Sequence, residues 1–160
     1  MTNQRTKSTL LYLRRNNEIL LAMKKRSHGK GKWNGVGGKP EPGEALRDTA
    51  IRECYEEIGV RATALIKVAD LAFYQEPFVD MYSNMDVEVY ECTKWQGEPT
   101  ESDEMAPRWF AIDEIPYDDM WPDDQYWLPE VLAGNYAMGT FVFNDQYEMT
   151  EHHVLTQART

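Results

Sequence analysis

The sequence predicts an α+β domain in which helices cover a sheet. Two observations carry that reading. Several short stretches alternate apolar and polar side chains with the period of two expected of half-buried strands. In the first third of the chain, Glu44 to Ile58 instead spaces Leu46, Ala50, Cys54 and Ile58 four apart and stops at Gly59, the pattern of one helix face with a C-terminal cap. Strands mixed with two helices give a sandwich of sheet and helices. The 160 residues suffice for one domain, 1–160, with a core of its own.

Taken in order, Thr9–Leu13 and Glu18–Met23 form a hairpin around Asn16-Asn17. The helix over Glu44–Ile58 follows. Ala62–Tyr74 and Met85–Thr93 are strands around a loop that carries Pro77, and Pro107–Ala111 is a shorter strand. Asp123–Leu132 is a second helix, capped by Asp123 or Asp124 and closed by Gly134. Thr140–Phe143 alternates like a strand, and Gln146–Leu155 is a further candidate.

Charge narrows the function classes. Seventeen Lys and Arg face 27 Asp and Glu, a formal net charge of -10, which repels nucleic acid backbones and anionic membranes. No apolar run approaches the ~20 residues needed to span a bilayer. Arg14 and Arg15 interrupt the apolar N-terminal stretch, so it reads as strands and not as a signal peptide. Two cysteines, Cys54 and Cys92, make no disulfide framework and suit a reducing cytoplasm. The chain is expected to be a cytoplasmic monomer that meets neither nucleic acid nor membrane.

Two features point to chemistry. The segment HGKGKWNGVGGKPEPGE laces lysine with glycine, and glycine lets backbone N–H groups approach an anion closely. The first helix then carries Glu53, Glu56 and Glu57 at i, i+3 and i+4, so three carboxylates share one face. A solvated acidic stripe, with Arg52 pairing to Glu56, is one account of them. The other is a hard divalent cation, Mg²⁺ or Mn²⁺, beside a phosphate-binding loop, the arrangement that hydrolyses a phosphoanhydride.

Gly38 to Val60, GKPEPGEALRDTAIRECYEEIGV, resembles the Nudix box: glycine, five residues, glutamate, seven residues, then Arg-Glu-apolar-x-Glu-Glu-x-Gly-apolar. Gly38, Glu44, Arg52, Glu53, Glu56, Glu57, Gly59 and Val60 fill its defined positions, with Cys54 in a place usually held by a larger aliphatic residue. The resemblance implies an α/β/α sandwich with a mixed β-sheet, and hydrolysis of a nucleoside diphosphate linked to another group. Beyond the box, MKKRSHGKGKWNGVGG and ESDEMAPRWFAIDEIPYDDMWPDDQYW are similar to the mammalian-type MutT branch of that family, from Thr9 to about Val154. That likeness implies a nucleoside triphosphate substrate of the oxidised purine class, such as 8-oxo-dGTP, cleaved to monophosphate and pyrophosphate.

Residue roles follow from the resemblance. The carbonyl of Gly37 and the carboxylates of Glu53, Glu56, Glu57 and Glu104 would ligate metal. Glu57 is the first choice for activating water, with Glu56 and Glu104 open. Arg52 would orient the glutamates, and Glu44 would brace the loop-helix junction. Lys24 would reach the phosphates, with Thr9, Gly38 and Lys39 also in substrate contact. Asn34, Trp121, Asp123 and Asp124 would read the base. Asn offers a donor and an acceptor, Trp a stacking face, and two adjacent buried carboxyls share one proton. A plain helix cap is the competing account of the Asp pair. Phe73, Met85 and Phe143 keep apolar lining positions, whereas Ser8, His28 and Gln75 replace aromatic ones. These replacements support a rival specificity for ADP-ribose, a dinucleotide, or a methylated or unmodified nucleotide. A catalytically silent nucleotide-binding module is the rival of a different class. His28 either stacks on a base or sits on a loop, and His152 and His153 are ordinary strand residues.

Overall fold

The computed structural model describes residues 5–76 and 84–159. The loop expected to carry Pro77 lies outside the described residues. The elements are β1 (Thr6–Arg15), β2 (Glu18–Lys24), β3 (Trp33–Asn34), α1 (Leu46–Ile58), β4 (Arg61–Gln75), β5 (Met85–Gln96), β6 (Met105–Ala111), α2 (Asp124–Leu132), β7 (Asn135–Phe143) and β8 (Met149–Ala158). One mixed sheet runs β3-β2-β1-β5-β4-β7-β8, with β6 paired to β2. β1 lies parallel to β5, and β4 parallel to β7. The other pairings are antiparallel.

Period-two alternation sorts the core onto two faces. Leu11 and Leu13 of β1, Leu20 and Ala22 of β2, and Tyr90 and Cys92 of β5 pack with Ala50, Cys54 and Ile58 of α1. The intervening Tyr12, Ile19, Leu21, Val87 and Val89 pack with Trp127, Leu128 and Val131 of α2. A sheet buried on both faces by helices is the α/β/α sandwich. Burying these side chains contributes about 1.5–3 kcal/mol for each large one. No helix among the described residues is long and apolar enough to cross a membrane.

Element ends differ from the sequence reading for physical reasons. Helix α1 starts at Leu46, because Glu44 turns its carboxylate onto the Glu41 amide, the Thr49 hydroxyl and Arg52. It ends as expected at Gly59, in the left-handed region at φ 74°, with the Gly59 amide bonded to the Tyr55 carbonyl. Trp33–Asn34 forms a strand inside the glycine-lysine segment, where glycine content hides the pairing with β2. β8 begins at Met149, after a turn in which Tyr147 has φ 59°.

Candidate active site

The loop before α1 is zipped onto β1. Val36 and Leu11 exchange backbone hydrogen bonds of 3.1 and 2.6 Å, and the Thr9 amide donates to the Gly38 carbonyl at 3.0 Å. The buried Thr9 hydroxyl donates to the same carbonyl at 3.2 Å and accepts from the Gly38 amide at 3.3 Å. Side chains are excluded at this junction. A Cβ on Gly37 would lie 1.9 Å from the Thr9 carbonyl oxygen, and one on Gly38 2.6 Å from the Glu53 carboxyl carbon. The backbone therefore passes directly over the carboxylates of α1, and the Gly37 amide donates to Glu57 at 3.3 Å.

Arg52 organises the exposed side of this cluster. Its guanidinium grips Glu44 through two hydrogen bonds of 2.8 and 2.9 Å, and also reaches Glu53 at 3.0 Å, Glu56 at 3.1 Å and the Lys39 carbonyl at 3.1 Å. The Arg52 and Thr49 hydrogen bonds hold Glu44 down to about 2, so it stays ionised. Glu57 is the opposite case. Burial, then the charge of Glu53, pushes it up to about 8, with Glu104 adding to the rise. Burial raises Glu53 as well. Glu56 is tied to Arg52, and Glu104 to Arg26 at 3.1 Å, both at exposed positions.

Among the described residues, no three acidic, imidazole or thiol side chains converge as they stand into a metal cage. The donor set nevertheless fits a hard divalent cation. Every donor is oxygen, and burial, with the charge of Glu53 added to it, drives Glu57 toward its neutral form. A cation would reverse that shift. The exposed ion pairs holding Glu56 and Glu104 are weak enough to exchange for it.

Beside the cluster opens a cavity of about 640 Å³. It is lined by Thr9, Asn34, Lys39, Phe73, Met85, Trp121, Asp123, Asp124 and Phe143, together with Ser8, His28 and Gln75. Leu10, Tyr74, Val87 and Tyr147 complete the lining and were not singled out from sequence. Lys24 and Gly38 do not line it. Lys24 ends β2, where its backbone anchors Gly31 and Lys32.

The polar end of the cavity is built on a buried network. Asp123 sits at the N-cap position of α2 but makes no side-chain cap hydrogen bond; it accepts instead from the Trp127 indole N–H at 2.9 Å. The side-chain cap hydrogen bond that the plain helix-cap account needs is not made by Asp123. Burial raises both carboxyls, and Asp124 rises well above the usual range because the Asp123 charge adds to its desolvation. Asp124 is thus pushed furthest toward the protonated form, and one of its carboxyl oxygens is buried without a partner among the described residues. Asn34 corrects a second expectation. Its Oδ1 accepts from the Gly35 amide at 2.8 Å and the Tyr12 hydroxyl at 3.2 Å, so only its –NH₂ remains to face a ligand. Tyr12 was missed in the sequence. It is buried, packs edge-on to Trp127, and its own ionisation is suppressed by burial, then by Asp124 and Asp123. A lone tyrosine among the inward aliphatics of β1 was the available signal.

A family model for the NUDIX domain matches residues 4–131. The chain belongs to the Nudix family. Its glutamate helix is α1, and its glycine-rich entry is the loop that Thr9 clips to β1. Two Nudix relatives are similar over most of their length. The oxidized purine nucleoside triphosphate hydrolase of Mus musculus is 44% identical over 138 residues, 86% of each chain. The protein of the same description from Danio rerio is 41% identical over 144 residues, 90% of each chain. Among solved structures, a MutT protein from Bacillus halodurans superposes with a TM-score of 0.83 at 24% identity, over 93% of this chain and 97% of that one; this likeness speaks to the fold.

Proposed function

We propose that this Nudix protein hydrolyses oxidised purine nucleoside triphosphates such as 8-oxo-dGTP to the monophosphate and pyrophosphate, with Mg²⁺, and so clears damaged nucleotides from the pool. The observation that carries the reading is the pairing of two sites. A carboxylate cluster under a glycine-rich backbone adjoins a cavity whose polar end combines the Asn34 –NH₂ with Asp123 and Asp124, two buried carboxyls both raised toward protonation. Donors beside an acceptor suit a purine edge, and Trp121 offers the base a stacking face. The names of the mouse and zebrafish relatives support oxidised purines as the class.

Glu53, Glu56, Glu57, Glu104 and the Gly37 carbonyl would hold Mg²⁺, with Mn²⁺ as a substitute. The bound cation would neutralise phosphate charge and lower the pKa of water. Glu57 would take the proton from the attacking water, because the Gly37 amide fixes its carboxylate and Arg52 does not touch it. Arg52 would hold Glu53 and Glu56 in place through the Glu44 brace. Lys39 would face the substrate from the cavity wall, and Lys24 would approach from the end of β2. The buried thiols Cys54 and Cys92 suit a reducing compartment, so the proposed setting is a cytoplasmic monomer acting on free nucleotides.

Ser8, His28 and Gln75 line the same cavity and favour a second reading, a Nudix pyrophosphatase with another nucleotide as its best substrate. Catalytic efficiency with Mg²⁺ across 8-oxo-dGTP, 2-oxo-dATP, O6-methyl-dGTP, dGTP and ADP-ribose decides between them. The proposal expects an oxidised purine to lead. Preference for ADP-ribose, read as AMP and ribose 5-phosphate, or for unmodified dGTP sinks it, and absence of phosphoanhydride cleavage with every substrate leaves only a binding module.

A further inference from the structure

The base cavity and a second cavity of about 580 Å³ share one wall, made by His28, Trp121 and Tyr147. The His28 ring lies 5.0 Å from Trp121 and 5.0 Å from Tyr147, and Trp121 lies 6.2 Å from Tyr147. His28 comes from the segment between β2 and β3, Tyr147 from the turn between β7 and β8. Two segments distant in the chain thus meet on the indole expected to stack on the base. Lys32 adds its ammonium 5.2 Å from the same indole.

The turn itself does not call for an aromatic residue at 147. Asn144 holds it: its Oδ1 accepts from the amides of Gln146 and Glu148 at 2.9 and 3.0 Å, and its backbone amide donates to the Glu148 carbonyl at 2.9 Å. At φ 59° the backbone of Tyr147 favours Asn or Gly over a bulky residue. The side chain is 50% exposed, so the core does not require it either. Strained residues of this kind collect at ligand clamps. Here the ring is placed against Trp121 and into the lining of the base cavity.

We propose that Tyr147 is a base-binding residue of the cavity, bracing Trp121 together with His28 and completing an aromatic wall that a purine ring fills. The inference rests on the oxidised-purine reading and adds a residue to its recognition surface. Replacing Tyr147 by Asn removes the ring and suits the left-handed backbone. Tyr147→Phe keeps the ring and removes only the hydroxyl.

The test measures KM, kcat and Tm for the parent and both variants with 8-oxo-dGTP and Mg²⁺. Tyr147→Asn is expected to raise KM at least about threefold with kcat changed by less than about twofold, since the lost contact holds ground and transition states alike. Its Tm should equal or exceed the parental value, and Tyr147→Phe should keep the parental KM. An active parent with an unchanged KM in Tyr147→Asn overturns the inference and leaves the substrate reading intact. A raised KM accompanied by a lowered Tm assigns the ring to turn stability and overturns it too. If the parent releases no pyrophosphate from 8-oxo-dGTP, the substrate reading fails, and calorimetric binding of dGMP judges the wall. Binding weakened by Asn and not by Phe then upholds it, and equal binding by all three proteins overturns it.

Discussion

The carboxylate cluster of α1 and the base cavity both bury acids that water would ionise, yet they manage the excess charge in opposite ways. Around α1 the charge is divided: Arg52 neutralises Glu44, Glu53 and Glu56 on the exposed side, while Glu57 lies beneath the loop and accepts from the Gly37 amide. In the base cavity burial dominates, and Lys32 acts on Asp124 only as the last of the influences on it. Asp123 leans on the Trp127 indole N–H, and burial together with the Asp123 charge pushes Asp124 toward its protonated form. The first site is thereby left short of positive charge and suited to a metal. The second is left with a carboxyl pair pushed toward protonation, which suits it to donate a hydrogen bond. One fold thus supports cation-dependent chemistry and neutral-edge recognition side by side.

The largest expected effect comes from removing the acid without a counter-charge. Glu57→Gln should lower turnover at saturating Mg²⁺ by at least ~100-fold, the usual loss for a missing metal ligand or base. The fold should persist, because the amide relieves repulsion with Glu53. Steady-state pyrophosphate release, with circular dichroism as the folding control, checks this. Near-parental turnover would remove Glu57 from the mechanism and shift attention to Glu56 and Glu104.

The base cavity should respond more mildly and in a different parameter. Asp123→Asn and Asp124→Asn should each raise KM for 8-oxo-dGTP several-fold, as expected for about 1–3 kcal/mol lost with one buried hydrogen-bond partner. Each should also alter the ratio of efficiencies between 8-oxo-dGTP and 2-oxo-dATP, since an amide cannot exchange the proton. Asp123→Asn can keep its Oδ1 on the Trp127 indole N–H, so neither variant should lose that hydrogen bond. A substrate ratio unchanged in both variants would take the pair out of base reading.

The two regions also differed in how far they could be read from sequence. The α1 site is contiguous: Gly38 to Gly59 sets the loop, the helix face and the cap within 22 residues, so spacing alone brings its carboxylates to one face. The strands flanking it were equally legible, because Leu11, Leu13, Leu20 and Ala22 alternate with residues of the opposite core. The base cavity is assembled from β1, β3, β4, β5, α2 and the β7–β8 turn, and pairing across such distances leaves no local period. Asn34 shows the consequence. Its identity suggested two-sided hydrogen bonding, but only the fold reveals that Tyr12 and Gly35 occupy its oxygen. Tyr147 was hidden for a related reason: its turn is fixed by Asn144, and nothing in QYEM indicates that the ring meets Trp121.

The smallest expected effect is on stability, and it sharpens the contrast because the metal should act on one site only. A carboxyl raised by folding stabilises the protein fully below its unfolded pKa, and that contribution is lost as pH rises through the folded value. For Glu57 the window runs from about 4.5 to about 8. Asp124 acts in the same direction. Glu44, held down to about 2, has its loss on the acid side, as pH falls below about 4.5. His28 is lowered from 6.5 by burial and by Lys24, so it opposes the trend only below about 6.5. Between pH 6.5 and 8.5 the raised carboxyls therefore dominate. Without divalent cations Tm should fall across that range by at least ~3 °C, about 1 kcal/mol for a chain of this size. Millimolar Mg²⁺ at matched ionic strength should raise Tm most at the alkaline end, where the ionised cluster binds it best. Glu57→Gln should flatten the metal-free slope and weaken the Mg²⁺ response. Asp124→Asn should reduce the slope while leaving the Mg²⁺ response whole. Scanning calorimetry on the three proteins separates these outcomes, and a Tm independent of both pH and Mg²⁺ would break the assignment of the α1 cluster as a cation site.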